Sequence, residues 1–253
     1  MPEFVTIDVA DRIAVITLSR PEARNSMTPQ VIAELIDAVT SCDNDDAVDV
    51  MILTGSDPVF CAGLDLKELE PGGALDVPTM TKAGNPWPSR RKPMIAAVNG
   101  PAVTGGLELA LLADLIVASK KARFGDTHAR VGIMPFWGLT ARLPQVVGWQ
   151  TALLMSLTGN FLTAEDAYRL GMVAALVEHD DLLASARRLA VDIASADQPA
   201  IRAILNIYRD HQGTAARLDA EVDHARAFQG EGFDNEAFAR RREAIMARGR
   251  AQR

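Results

Sequence analysis

The chain has 253 residues, 48% of them hydrophobic, with a formal net charge of −7 and a pI near 5.2. That length suits one large domain or two small ones, with a substantial core, and the acidic balance lacks the clustered Lys and Arg that counterion release at nucleic acid requires. No apolar run reaches the length of a membrane span, the N-terminus lacks the basic and apolar regions of a signal peptide, and the two cysteines, Cys42 and Cys61, have no metal-ligand spacing, so a cytoplasmic protein without metal, nucleic-acid or membrane partners is expected.

Alternating β-branched residues over 4–9 and 12–18 predict two strands joined at Ala10-Asp11. A polar loop, Arg20-Pro21-Glu22-Ala23-Arg24-Asn25, follows. Thr28 before Pro29 is a helix start, a capping hydroxyl ahead of a proline at the first helical position. Val31, Ile32, Leu35, Ile36 and Val39 then recur at helical spacing, and the helix is expected to end near Cys42-Asp43. The apolar run 48–53 predicts a strand covered on both faces. Beyond Thr54-Gly55-Ser56-Asp57-Pro58, small residues precede a helix start at Asp65. That loop either caps a helix and nothing more, or offers backbone N–H groups to a ligand.

Residues 70–89 are rich in Pro and Gly and read as an irregular surface segment or a flap over a ligand. Residues 114–119 and 173–177 predict strands, 138–147 and 150–157 predict helices, and Thr163 caps a short helix ending at Gly171. From Asp180 the pattern is helical, punctuated by Pro199 and Gly213. We expect one α/β domain over 1–253, with a core to residue 180 and a helical extension over 181–253. Arg90-Arg91-Lys92 and Arg240-Arg241-Arg242 read as solvated faces or as a contact for a nucleotide phosphate. His179, His211 and His224 read as surface residues of the helical region.

The stretch from Met94 to Asp114, MIAAVNGPAVTGGLELALLAD, organises the rest. It predicts a buried strand, a turn at Asn99-Gly100-Pro101, and an apolar helix just after Gly105-Gly106 with Glu108 in its first turn. Paired glycines admit a ligand to the backbone, and a helix N-terminus directs unpaired N–H donors at the same place. Glu108 is then placed as a proton-transfer group beside a polarised carbonyl. The competing reading is a tight turn followed by an ordinary first-turn acid.

Several segments, in order, resemble the enoyl-CoA hydratase/isomerase, or crotonase, superfamily. They are Arg20-Pro21-Glu22-Ala23-Arg24-Asn25, Leu53-Thr54-Gly55, Phe60-Cys61-Ala62-Gly63-Leu64-Asp65-Leu66, Ala96-Ala97-Val98-Asn99-Gly100, Gly105-Gly106-Leu107-Glu108-Leu109-Ala110, Phe124-Gly125 and Thr163-Ala164-Glu165-Asp166-Ala167. The resemblance implies an α/β crotonase-like superhelix of ββα units, with a C-terminal helical region used to assemble trimers or hexamers. It also implies an acyl-CoA thioester substrate that brings its own CoA, so that no separate cofactor is needed. By position, the N–H groups of Leu64 and Gly105 match the family's oxyanion hole. Ala23, Arg24, Ala62, Asp65, Leu66 and Gly106 match its substrate and CoA contacts, and Glu108 matches the first of its two catalytic glutamates.

The family's second glutamate comes in a phrase of the type Phe-Gly-x-x-Glu. Here the phrase is Phe124-Gly125-Asp126-Thr127-His128, so His128 stands in the glutamate's place. The Gly-rich turn that follows is altered to Pro135-Phe136-Trp137-Gly138. His128 could donate the proton that the missing acid would supply, its imidazole titrating near the physiological range, or it could only hydrogen-bond; Asp126 is the other acid at hand. Arg130 could pair with Asp126 or Glu108 as part of a polar lid, and Phe136 and Trp137 either narrow an acyl pocket or pack in the core. The expectation is an enzyme that adds water to a 2-enoyl-CoA using Glu108 and His128, the alternatives being a non-hydrating acyl-CoA-binding protein or an isomerase-type enzyme.

Overall fold

The computed structural model describes residues 3–66, 85–211, 214–230 and 241. Strand β1 (Val5–Ala10) pairs antiparallel with β2 (Ile13–Leu18), and the turn between them is Asp11-Arg12, one residue later than expected. Both turn residues have positive φ, 52° and 64°, the conformation that matches a two-residue turn to the twist of its strands. The guanidinium of Arg12 is held by Asp49, with Nη2 donating to Oδ1 at 2.8 Å.

Helix α1 (Pro29–Asn44) begins as its sequence dictates, with the Thr28 hydroxyl accepting from the Val31 N–H. Strands β3 (Val50–Gly55), β4 (Met94–Val98), β6 (Leu115–Ser119) and β9 (Ala175–Val177) extend the sheet in parallel, in the order β1-β2-β3-β4-β6-β9. β3 and β4 are buried along their whole length because both faces of the sheet are covered. Ala14, Ile16, Met51, Leu53, Met94, Ala96 and Val98 face α1 and the site, and the alternate residues Ile13, Val15, Val50, Ile52, Ile95, Ala97 and Val117 face the other way. That second face is closed by Leu182, Ala186 and Ala190 of α7 (Leu182–Ala194). The C-terminal helices therefore begin by completing the core.

A second, smaller sheet has no counterpart among the expected strands. β5 (Pro101–Val103), β7 (Arg123–Gly125) and β8 (Phe161–Thr163) are too short to show a period, and Pro101 was read as part of a turn. With it, the succession β4, β5, α2 (Gly105–Leu111) forms a ββα unit. It is followed by β6, β7, α3 (His128–Val131). α4 (Leu139–Val147), α5 (Trp149–Thr158), α6 (Ala164–Arg169), α8 (Gln198–His211) and α9 (Thr214–Gly230) complete the described elements.

Three expectations are corrected. Arg90 and Lys92 are not solvated: they are 8% and 3% exposed, Arg90 bonding Asp114 at 2.7 Å and Lys92 donating to the Cys42 carbonyl at 2.9 Å, so neither is available to a nucleotide phosphate. His179 is half-buried between Ser119 and Asp57, each 3.1 Å from a ring nitrogen. It is thus no simple surface residue, whereas His224 is exposed and the side chain of His211 lies outside the described residues. Arg130 pairs with neither Asp126 nor Glu108; its guanidinium donates to the Thr158 carbonyl, 2.6 Å from Nε. Most of the expected flap and the helix expected after Asp65 fall outside the described residues, as do Arg240 and Arg242. Cys42 and Cys61 are free and buried, and no described helix is long and apolar enough to cross a membrane.

Candidate active site

Two backbone segments meet at the head of α2. Residues 61–65 are bridged on one side to Met27, whose N–H donates to the Gly63 carbonyl (2.8 Å) and whose carbonyl accepts from Asp65 (2.9 Å). Bonds to the residues flanking Leu64 leave Leu64's own N–H pointing the opposite way. On that other side Cys61 is bridged to β5, with Cys61 N–H on the Pro101 carbonyl and Val103 N–H on the Cys61 carbonyl (3.2 and 3.0 Å).

The approach is too close for side chains. A Cβ on Gly106 would lie 2.1 Å from the Cys61 oxygen, and one on Gly63, whose φ is +87°, would lie 2.9 Å from the Val103 oxygen. The chain turns into α2 through Thr104, at φ 55° and ψ −115°, a conformation that costs a non-glycine residue of order 1–3 kcal/mol. Its N–H donates to the Gly125 carbonyl at 2.8 Å, and its hydroxyl bonds the Thr127 hydroxyl at 2.6 Å. Glu108 is the first residue of α2 to donate back along the chain, to the Thr104 carbonyl, so the Gly105 N–H precedes the helical ladder.

Met27, Leu64, Thr104, Gly105, Glu108, His128, Ile133, Met134, Phe136 and Trp137 line the pocket below this junction, which opens to solvent. Of the residues expected in the site, Leu64, Gly105, Glu108, His128, Phe136 and Trp137 are all here. Phe136 and Trp137 are buried and also line the pocket. Gly106 lies behind the pocket against Cys61. Ala23, Arg24, Ala62, Asp65 and Leu66 do not line it. Ala62 donates to the Arg24 carbonyl at 3.2 Å, and Asp65 accepts from Arg20 at 2.6 Å, so this group braces the loop that carries Leu64.

Glu108 and His128 form the polar part of the wall, with Asp126 behind them. Glu108 Oε2 is 3.6 Å from His128 Nε2, and His128 Nδ1 is 2.7 Å from Asp126 Oδ1, which also accepts the His128 N–H at 3.1 Å. Glu108 Oε1 accepts the Trp137 N–H at 2.7 Å. All three side chains are buried, at 3%, 5% and 2% exposure for Glu108, His128 and Asp126.

Burial pushes Glu108 up to about 7, against the pull of His128. Burial also opposes charge on His128, but the hydrogen bond its ring donates to Asp126 and the charges of Glu108 and Asp126 outweigh it and hold the imidazole above its ordinary value. Asp126 is raised by burial, yet its bond to His128 and the imidazolium charge bring it below the usual carboxylate range. Asp126, two residues away across the start of α3, is the hydrogen-bond partner of the His128 ring. Thr104, Met27, Ile133 and Met134 carried no sequence signal, because a positive φ and a pocket wall are products of the tertiary approach.

A succession of ββα units, with a buried acid one turn into the helix that follows a glycine-bearing junction, is the architecture of the crotonases. A sequence profile of the enoyl-CoA hydratase/isomerase family matches residues 8–244. A probable peroxisomal enoyl-CoA hydratase of Arabidopsis thaliana is 40% identical over 242 residues, 94% of this chain and 90% of that protein. An (E)-benzylidenesuccinyl-CoA hydratase of Thauera aromatica is 39% identical over 224 residues, 87% of this chain and 85% of that protein. The crystal structure of an enoyl-CoA hydratase from Mycobacterium smegmatis superimposes with a TM-score of 0.82 at 48% identity, covering 91% of this chain and all of that one. This chain belongs to the enoyl-CoA hydratase/isomerase family and has its fold.

Proposed function

We propose that this protein hydrates a 2-enoyl-CoA, with Glu108 and His128 as the acid/base pair and the N–H groups of Leu64 and Gly105 receiving the thioester oxygen. The observation that carries the reading is the 3.6 Å approach of Glu108 Oε2 to His128 Nε2 at the pocket wall, with Asp126 behind the imidazole. Hydratases among the relatives support the reaction class.

Backbone donors aimed at the thioester oxygen stabilise the enolate that forms as C3 is attacked; loss of one such donor in another enzyme class costs about 3 to 4 kcal/mol. Glu108, as carboxylate, takes a proton from water while the water oxygen bonds to C3. The enolate collapses as C2 takes a proton from the His128 imidazolium. Glu108 is left protonated and His128 neutral, and transfer of one proton between them restores the starting state. Asp126 stabilises the imidazolium and fixes Nε2 as the atom facing the substrate.

Ala62, Asp65 and Leu66 lie along the segment that leads CoA to the pocket, with Ala23 and Arg24 beside it. Phe136 and Trp137, with Met27, Ile133 and Met134, form an apolar wall against the acyl group. The protein assembles as a homotrimer or a pair of trimers, a reading supported by the exposed apolar face of α5, and acts in the cytoplasm. The test is turnover of a panel of 2-enoyl-CoA thioesters, followed by loss of the conjugated absorbance, with Glu108→Gln and His128→Ala beside the wild type. Each variant is expected to lose about 10²- to 10⁴-fold in kcat. Binding of the thioesters without turnover by the wild type would replace hydration with the acyl-CoA-binding reading.

A further inference from the structure

We propose that Glu221, on α9 in the C-terminal helical region, is a positioning residue for Glu108, acting by clamping the turn whose backbone orients the Glu108 carboxylate. The inference rests on the hydratase reading for its kinetic test alone.

The turn Phe136-Trp137-Gly138 presents consecutive N–H groups to two different carboxylates. The Trp137 N–H goes to Glu108 Oε1 at 2.7 Å and the Gly138 N–H to Glu221 Oε1 at 2.6 Å. The other Glu221 oxygen accepts the Thr140 N–H at 2.6 Å and the Thr140 hydroxyl. α4 begins at Leu139 with Gly138 as its cap and no capping side chain of its own, so its unpaired N–H groups are satisfied from α9. The Trp137 carbonyl is held as well, by Arg142 at 2.7 Å. A one-residue lever therefore separates the Glu221 contact from the Glu108 contact.

Glu221 is an unusual choice for a mere helix contact. The buried stripe of α9 is Leu218, Glu221, Val222 and Ala225, and an acid there costs desolvation unless donors compensate it. Gly138 sits at φ +86°, a conformation that a side chain would strain, with the ends of the Arg142 and Leu218 side chains packed against it. The ionisable groups around the site are Glu108 on α2, Asp126 and His128 at α3, Arg142 on α4, Glu221 on α9, and Arg241 against Gly132. The negative charge of Glu221 raises the pKa of both Glu108 and His128.

The experiment compares Glu221→Gln with the wild type and with Asp223→Asn, which removes a charge from the exposed side of the same helix. Two readouts are taken: kcat and KM for the best 2-enoyl-CoA across pH, and the NMR titration of the His128 imidazole, assigned with His128→Ala. Glu221→Gln is expected to lower kcat on the order of 10²-fold, the scale on which small misplacements act, with KM little changed, and to move the His128 titration to lower pH; Asp223→Asn is expected to do neither. A Gln variant that melts earlier but keeps the wild-type kcat and His128 titration would make Glu221 a helix staple only and overturn the proposal. Should that variant fail to fold, Thr140→Ala removes one of the three donors to Glu221, and an unchanged kcat there overturns it equally. A wild type without hydratase turnover counts against the hydratase reading, and the His128 titration then decides the positioning role by itself.

Discussion

At the scale of the residue, the site is a row of three buried ionisable groups, Glu108, His128 and Asp126. Glu108 is pushed up to about 7 by burial, and His128 is held above 6.5 by Asp126 and Glu108 once burial is outweighed. Groups so coupled titrate as a set, with macroscopic values that belong to the pair. In the proposed hydration Glu108 acts ionised and His128 protonated. Activity should therefore rise with pH as Glu108 loses its proton near 7, and fall again as His128 loses its own, giving a bell. Asp126→Asn removes the carboxylate that raises His128 without touching the pocket wall. The alkaline limb should then move to lower pH, with kcat down on the order of 10²-fold or more. The kcat–pH profiles of the two proteins check this, and an alkaline limb that stays in place would assign it to a group other than His128.

At the scale of the element, the junction between the Leu64 loop and α2 makes neighbouring glycines unequal. A methyl at Gly106 meets backbone, the Cys61 carbonyl oxygen at 2.1 Å and carbon at 2.8 Å, neither of which can yield without parting β5 from the loop. A methyl at Gly105 meets the end of a flexible side chain, Met27 Cε at 2.7 Å, with Trp137 at 3.8 Å. Gly106→Ala should destabilise by at least about 1–3 kcal/mol, as overpacking does. Gly105→Ala should nearly keep its melting temperature, helped by a helix propensity gain of up to about 1 kcal/mol, while its methyl intrudes on the pocket and raises KM. Calorimetry and steady-state kinetics on the pair separate the two effects; equal melting temperatures would refute the asymmetry.

The same contrast shows what the sequence could reveal. Thr28-Pro29 and Thr163 announced their helices because a cap is a local bond, from Val31 N–H to Thr28 and from Asp166 N–H to Thr163. β3 and β4 announced themselves as apolar runs because both their faces are covered. Glu108 and His128 were legible by their places in ordered motifs. Three-residue strands carry no period, so the second sheet was hidden. Nothing within residues 124–128 distinguishes Asp126 as the acceptor of His128 Nδ1, and nothing in the polar α9 singles out Glu221, since both roles arise where distant segments meet.

At the scale of the whole molecule, α5 carries an apolar surface that the fold of the single chain does not use. Trp149, Leu153 and Leu157 recur every fourth residue along α5 and so form one stripe, with Leu154 beside it. Trp149 is 64% exposed, Leu154 56% and Leu157 74%, on a helix that turns only Ala152 and Met155 fully inward. Each such side chain gains up to about 1.5–3 kcal/mol on going from full exposure to complete burial, so closing this face on a second copy contributes a part of what association costs. Leu157 contributes little to the core of its own chain, and Leu157→Asp should change the stability of that fold by no more than about 0.5 kcal/mol, the usual range for surface substitutions. It should nevertheless split the assembly, because a carboxylate buried in an apolar contact without a partner is costly. Sedimentation velocity is expected to show the wild type as a trimer or hexamer and the variant as a smaller species with an unchanged circular dichroism spectrum. A wild type that sediments as a monomer, or a variant that sediments with the wild type, would remove α5 from the interface.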